Sequence, residues 1–183
     1  MLEVGCGRGE LARALASQGH EVTAIDPQAP PGEIFLSVSL EDFADPGPFE
    51  AVLASRSLHH VDDLANALDK IRALLVPAGL VIVNEHAWDR LDEPTARWYL
   101  SRHPKPAGSL EAFMREWGRA HADLHGYQAM RSELDRRFVE RFFDWVPYLH
   151  GELDGADVQA EERRLIDAGA IRATGFRYVG ERR

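Results

Sequence analysis

Residues 2–9 read Leu2-Glu3-Val4-Gly5-Cys6-Gly7-Arg8-Gly9. The run Met1 to Val4 before the glycines has the character of a short strand. After them, Glu10 to Gln18 places Leu11, Ala14 and Leu15 on one helical face, with Gly19 positioned as the C-terminal stop. A strand, a glycine turn and a helix in that order make a corner suited to a ligand. Glycines let the chain turn tightly and let a bound molecule approach where a Cβ would block it. The helix that follows directs free backbone N–H groups toward the same spot.

Outward from this corner the first half alternates strands and helices. Glu21 to Ile25 reads as a second strand, followed by a loop marked by Pro27, Pro30, Pro31 and Gly32. Ile34 to Val38 and Ala51 to Ala54 are the third and fourth strands. Asp62 to Leu75 is a helix with Leu64, Leu68, Ile71 and Leu75 spaced three and four apart. Pro77 to Gly79 ends it, and Leu80 to Val83 is the fifth strand. Such alternation implies a mostly parallel sheet with helices on both faces, an α/β fold.

The second half has a different character. Residues 88–150 are rich in Trp, Tyr, Phe, His and Arg, and Leu110, Phe113, Met114 and Trp117 form an apolar stripe at helical spacing that reads as core. Arg137 to Val146 reads as a sixth strand in which Glu140 and Arg141 interrupt the alternation. Glu161 to Ala168 reads as a helix stopped by Gly169, and Ile171 to Val179 as the last strand. No linker separates the halves. The expectation is one domain over residues 1–183: a cofactor-binding half at 1–87, a helical insertion and substrate region with the sixth strand at 88–150, and a last helix and strand at 151–183.

Composition narrows the function. A 183-residue chain suits one domain with a sizeable core, and a 45% hydrophobic, 28% charged make-up is ordinary for a globular protein. The formal net charge of -9 argues against nucleic acid as a partner. The single cysteine, Cys6, excludes an internal disulfide and reads as a small packing residue. No apolar run reaches the ~20 residues of a membrane span, and the first residues, with Glu3, Arg8 and Glu10, do not read as a signal peptide. These readings point to the cytoplasm, without a membrane partner. No metal site is expected: His103, His121, His125 and His150 lack ligand spacing, and the His121–His125 pair lacks the Glu of an H-E-x-x-H motif.

The corner also selects its ligand. A dinucleotide site favours G-x-G-x-x-G, but counting from Gly5 the last glycine falls on Glu10, and from Gly7 on Ala12. Acidic Glu10 would repel a pyrophosphate, so a nicotinamide-dependent oxidoreductase is disfavoured. A phosphate-free ligand with an amino group and a sulfonium suits the loop better, with Glu3 near its amino-acid end. Asp26, at the end of the second strand, is placed to accept both hydroxyls of a ribose.

Together LEVGCGRG at 2–9, VTAIDP at 22–27, FEAVLASRSLHHVDD at 49–63 and ALLVPAGLVIVNE at 73–85 resemble the class I S-adenosylmethionine-dependent methyltransferases, and within them the type 11 small-molecule group. PYL at 147–149 and GFRYVG at 175–180 also look like the ends of such chains. The resemblance implies a Rossmann-like methyltransferase fold: a mostly parallel seven-stranded sheet with a helical insertion after the fifth strand. It implies S-adenosylmethionine as cofactor, with Glu3, Gly5, Cys6, Gly7 and Gly9 around the methionine part and Asp26 and Pro27 at the ribose. Ser39, Leu40 and Glu41 would flank the adenine, Ser55 and Arg56 would offer carbonyls to the amino group, and His59 and His60 would lie near methyl transfer as the candidate catalytic residues.

The chain departs from its relatives in three places. Ser39 stands where many carry an aspartate for the adenine amino group. Pro77-Ala78-Gly79 replaces the common Pro-Gly-Gly. The relatives' helical segment ahead of the first strand, which covers the cofactor, has no counterpart before Met1, so the expectation is a longer parent protein or an open site. The expected activity is methyl transfer to a small-molecule acceptor by a monomer or homodimer. The alternative is a non-catalytic cofactor-binding or protein-interaction module. Positioning alone supplies much of such a reaction. A base is needed only where the acceptor must lose a proton, and His59, His60, Glu85 and His86, which follow strands four and five, are the groups at hand.

Overall fold

The computed structural model describes residues 1–44, 47–103, 108–153, 155 and 157–183. Seven strands form one sheet: β1 Leu2–Val4, β2 Thr23–Asp26, β3 Phe35–Ser37, β4 Phe49–Ser55, β5 Leu75–His86, β6 Phe138–Val146 and β7 Gly175–Arg182. Their order is β3-β2-β1-β4-β5-β7-β6. Strands β1 to β5 run parallel, and β7 is antiparallel to both of its neighbours. Strand β6 therefore runs in the same sense as β5, and the carboxyl ends of β1, β2, β4, β5 and β6 share one edge of the sheet.

Among the described residues six α-helices accompany the sheet: α1 Glu10–Ser17, α2 Leu64–Leu74, α3 Glu93–Arg102, α4 Leu110–Ala120, α5 Tyr127–Arg137 and α6 Val158–Asp167. Adjacent strand residues point to opposite faces, so Ile25 joins Leu2, Val4, Val52 and Val81 in the main core. There they pack with Leu68 and Ile71 of α2 and Met130 and Leu134 of α5. Ala24 faces the other way, toward Cys6 and Ala12 of the α1 side. A further core gathers the insertion: Trp98, Tyr99 and Trp117 with Leu149 and Val158, and Leu110, Phe113 and Met114 packed against them. The aromatic stripe is thus core, as its spacing suggests. Among the described residues no helix is long and apolar enough to cross a membrane.

Element boundaries differ from the sequence reading where local irregularities interrupt a pattern. Helix α2 starts at Leu64 because the Asp63 side chain accepts from the Asn66 N–H and caps it. The turn expected at Pro77–Gly79 lies inside β5: Ala78 has φ 61, and pairing with β4 jumps from Phe49↔Leu75 to Ala51↔Leu80. The broken alternation near Arg141 is likewise a bulge, since β6 pairing jumps from Glu140↔Gly180 to Phe142↔Val179. Arg141, unpaired in the ladder, turns its guanidinium onto Glu181.

Candidate functional site

A cleft of about 1050 Å³ opens along the carboxyl edge of the sheet. Its floor begins at the glycine corner. Gly5, Gly7 and Gly9 have φ of 71, 51 and 76, all left-handed. A Cβ on Gly5 would stand 2.4 Å from the Cβ of Ser57, so the loop after β4 closes directly over it. A Cβ on Gly7 would meet nothing within 4 Å and would project into open space. Gly9 is outside the lining, because a Cβ there would strike the Phe35 ring at 2.4 Å. Its glycine is required by packing against β3.

Asp26 reaches back to this corner. Its Oδ2 accepts from the Gly7 N–H at 3.0 Å and its Oδ1 from the Gln28 N–H at 2.8 Å. The carboxylate therefore both faces the cleft and fixes the loop. Glu3 is 3% exposed. Burial pushes its carboxyl up to about 7, against a smaller opposing pull from the Ala12 backbone N–H. Its Oε2 has no partner in the protein. Cys6 is buried and free, and burial together with the Glu3 and Asp26 carboxylates pushes its thiol up to about 11. A thiol so held is a poor nucleophile.

The opposite wall is tied together by Glu85, at the end of β5 and fully buried. One oxygen accepts from the N–H groups of Ser57 and Leu58 at 2.6 and 2.7 Å. The other lies 2.5 Å from His59 Nδ1 and accepts from the His86 N–H. The Ser57 hydroxyl donates to the Val4 carbonyl at 2.9 Å. Arg56, between these anchors, has φ 54, a strained conformation for a residue with a Cβ.

All the sequence-predicted cofactor residues except Gly9 line this cleft: Glu3, Gly5, Cys6, Gly7, Asp26, Pro27, Ser39, Leu40, Glu41, Ser55 and Arg56. The two histidines separate. His60 is in the lining and exposed, its imidazole pulled down by burial and by His59. His59 is 5% exposed, turned inward onto Glu85 and outside the lining. His86 is buried, stacked on Tyr148 at 4.1 Å, and held down to about 3 by burial and by His121 and His59. Ser39 is engaged locally, its hydroxyl bonded to the Asp42 carboxylate and backbone N–H.

Several lining residues were not picked out as site residues from the sequence: Tyr148, His150 and Gln159, all after β6, and Arg177 on β7. The PYL run at 147–149 and the GFRYVG run at 175–180 hinted at these segments without assigning them to the site. Among the described residues no group of three or more His, Cys, Asp or Glu could hold a metal ion. His121 and His125 go separate ways, one to the Trp117 carbonyl and the other to that of Val61.

A strand–glycine loop–helix corner, a carboxylate at the end of the second strand and a seven-stranded sheet with an antiparallel β7 define a nucleoside-binding α/β protein. The chain belongs to the methyltransferase domain family, whose model matches residues 1–120. It is 36% identical over 100 residues to a ubiquinone biosynthesis O-methyltransferase of Xylella fastidiosa (strain 9a5c), a match covering 46% of this chain and 40% of that protein. An uncharacterized methyltransferase of Mycobacterium tuberculosis (strain ATCC 25618 / H37Rv) is 31% identical over 96 residues, covering 45% of this chain and 48% of its own. The matched stretch thus spans less than half of each of these relatives.

Solved structures agree in fold. An S-adenosylmethionine dependent methyltransferase from Mesorhizobium loti has a TM-score of 0.65 at 16% identity, over 99% of this chain and 90% of that one. N-methyltransferase NodS from Bradyrhizobium japonicum WM9, in complex with S-adenosyl-L-homocysteine, has a TM-score of 0.59 at 15% identity, over 99% and 76%.

Proposed function

We propose that this chain transfers a methyl group from S-adenosylmethionine to a small-molecule acceptor. The observation that carries the reading is the corner itself. A glycine loop with open space at Gly7, the Asp26 carboxylate beside it and the orphaned Glu3 oxygen beneath it match, in order, a methionine backbone, a ribose diol and an ammonium. The donor set therefore fits a nucleoside bearing an amino-acid tail and lacking phosphates. The net charge of -9 favours a small acceptor over nucleic acid.

On this reading Gly5, Cys6 and Gly7 pass under the methionine part, with Glu3 as its buried counter-charge. Asp26, with Pro27 beside it, holds the ribose, Ser39 to Glu41 flank the adenine, and the carbonyls of Ser55 and Arg56 face the amino group. The bound cofactor supplies an electrophilic methyl on a sulfonium. The protein's task is to hold an acceptor lone pair in line with it, which by itself is a large part of the barrier. His60 faces the cleft and can contact an acceptor; His59 acts from behind, holding the loop on Glu85. Residues 1–87 would form the cofactor half and 88–150 the substrate region of one domain.

Calorimetric titration with S-adenosylhomocysteine tests the reading. Micromolar binding, about -8 kcal/mol, is expected, and release of S-adenosylhomocysteine from S-adenosylmethionine with a panel of hydroxyl, carboxyl and amine acceptors then separates an enzyme from a binding module. Absence of any binding refutes the cofactor assignment.

A further inference from the structure

We propose that His150, held by the buried carboxylate of Glu162, is the group that takes the proton from an acceptor hydroxyl. This rests on the methyl-transfer reading above and adds to it a residue with no catalytic signal in the sequence.

The geometry begins with strand direction. Because β6 runs in the same sense as β5, the segment after Val146 emerges at the edge where the cleft lies. The Tyr148 ring stacks on His86 at 4.1 Å with the planes 4° apart, which pins that segment to the end of β5. Glu162 of α6 is fully buried, and its oxygens accept from the N–H groups of Tyr148, Leu149 and His150 at 2.9, 3.1 and 2.9 Å. The fourth partner is His150 Nδ1, at 2.9 Å from Oε2.

A carboxylate gathering three fixed N–H donors has only an acceptor role to offer the ring. Nδ1 therefore carries the hydrogen, and in the neutral ring Nε2 is left as the lone-pair nitrogen. The same arrangement occurs at Glu85 and His59, but with a different outcome. The His59 side chain is 6% exposed and outside the lining, whereas that of His150 is 28% exposed and in it. Between His59 and His150, His150 is the one that reaches the cleft. The neighbouring acid Glu152 is engaged by the Tyr99 hydroxyl at 2.9 Å, so it does not compete for the ring.

In the step, His150 Nε2 takes the hydroxyl proton while an oxygen lone pair forms the new bond to the methyl carbon. The sulfur keeps the electron pair of the broken C–S bond, and the sulfonium donor becomes a neutral thioether. The imidazolium keeps its Nδ1–H on the Glu162 carboxylate and then gives the Nε2 proton to water.

The first test needs no acceptor. Ring 15N–1H correlation spectra of the labelled chain should show His150 protonated at Nδ1, with that preference lost in Glu162→Gln. The second uses catechol as the hydroxyl probe with S-adenosylmethionine. His150→Ala should lower kcat by about 10²- to 10⁴-fold, leave S-adenosylhomocysteine affinity within about twofold of the parent, and regain rate with added imidazole, which a purely structural defect would not. An Nε2-protonated ring in the parent chain, or a His150→Ala rate within about twofold of the parent, overturns the proposal. Loss of S-adenosylhomocysteine binding in the parent chain counts against the cofactor reading, and the ring tautomer is read independently of it.

Discussion

Replacing Glu3 with glutamine isolates the cost of keeping an acid under the glycine loop. The folded chain holds the Glu3 proton up to pH about 7, against a usual 4.5, chiefly because burial disfavours the charge. Between those values the folded state binds more protons than the unfolded state, so stability falls as pH rises. The stabilising share is complete below 4.5 and is gone once pH has passed through about 7. At about 1.4 kcal/mol per pH unit, this interval amounts to about 3 kcal/mol. Glutamine keeps the size and shape of the side chain and cannot ionise. Urea unfolding at about pH 5 and about pH 8 should therefore show the parent losing about 2.5 kcal/mol more than Glu3→Gln between the two conditions, part of the interval having been passed already at about pH 5. Parallel stability–pH curves would refute the assignment of this carboxyl. An ammonium seated against the orphaned oxygen favours the ionised form, so S-adenosylhomocysteine affinity should rise with pH through about 7 in the parent and flatten in the variant.

Other substitutions separate folding from binding. Gly5→Ala sets a Cβ 2.4 Å from Ser57 at a left-handed φ, an overlap costing about 1–3 kcal/mol on top of the backbone term, and thermal unfolding should register it. Gly7→Ala meets no neighbour and costs only the left-handed penalty of about 1 kcal/mol, but its methyl enters the cleft, so calorimetry should show weakened S-adenosylhomocysteine binding with the fold retained. Asp26→Ala removes the acceptor of the Gly7 N–H as well as the proposed ribose partner; a loss of about 1–3 kcal/mol in affinity is expected, and unchanged affinity would sink the ribose assignment. His86→Phe keeps a ring for Tyr148 but removes a group held neutral down to about 3. Because only the unfolded state takes up that proton as pH falls below 6.5, the variant should unfold at lower pH in an acid titration followed by circular dichroism.

The two ends of the cleft differ in how far a linear reading could reach them. The glycine corner and Asp26 are encoded locally: three glycines between a strand and a helix demand positive φ, and an acid closing the next strand lies beside them by the geometry of parallel pairing, Val4 opposite Ile25. Periodicity likewise located the strands and α2, because alternation and three–four spacing are properties of neighbouring residues. It placed boundaries less well where a bulge lets the chain continue through a break, at Ala78 and Arg141.

The sequence by itself thus determined the α/β class, the ligand corner and the apolar faces that assemble the cores, since each depends on residues within a few positions of one another. Only the tertiary structure decided which of two adjacent histidines faces the cleft. The choice was made by Glu85, 26 residues beyond His59, which turns that ring inward and leaves His60 outside. It also decided that Tyr148, His150 and Arg177 line the same cleft as Gly5. That convergence depends on the direction of β6 and on a carboxylate from α6, and long-range pairing of this kind leaves no periodic trace along the chain.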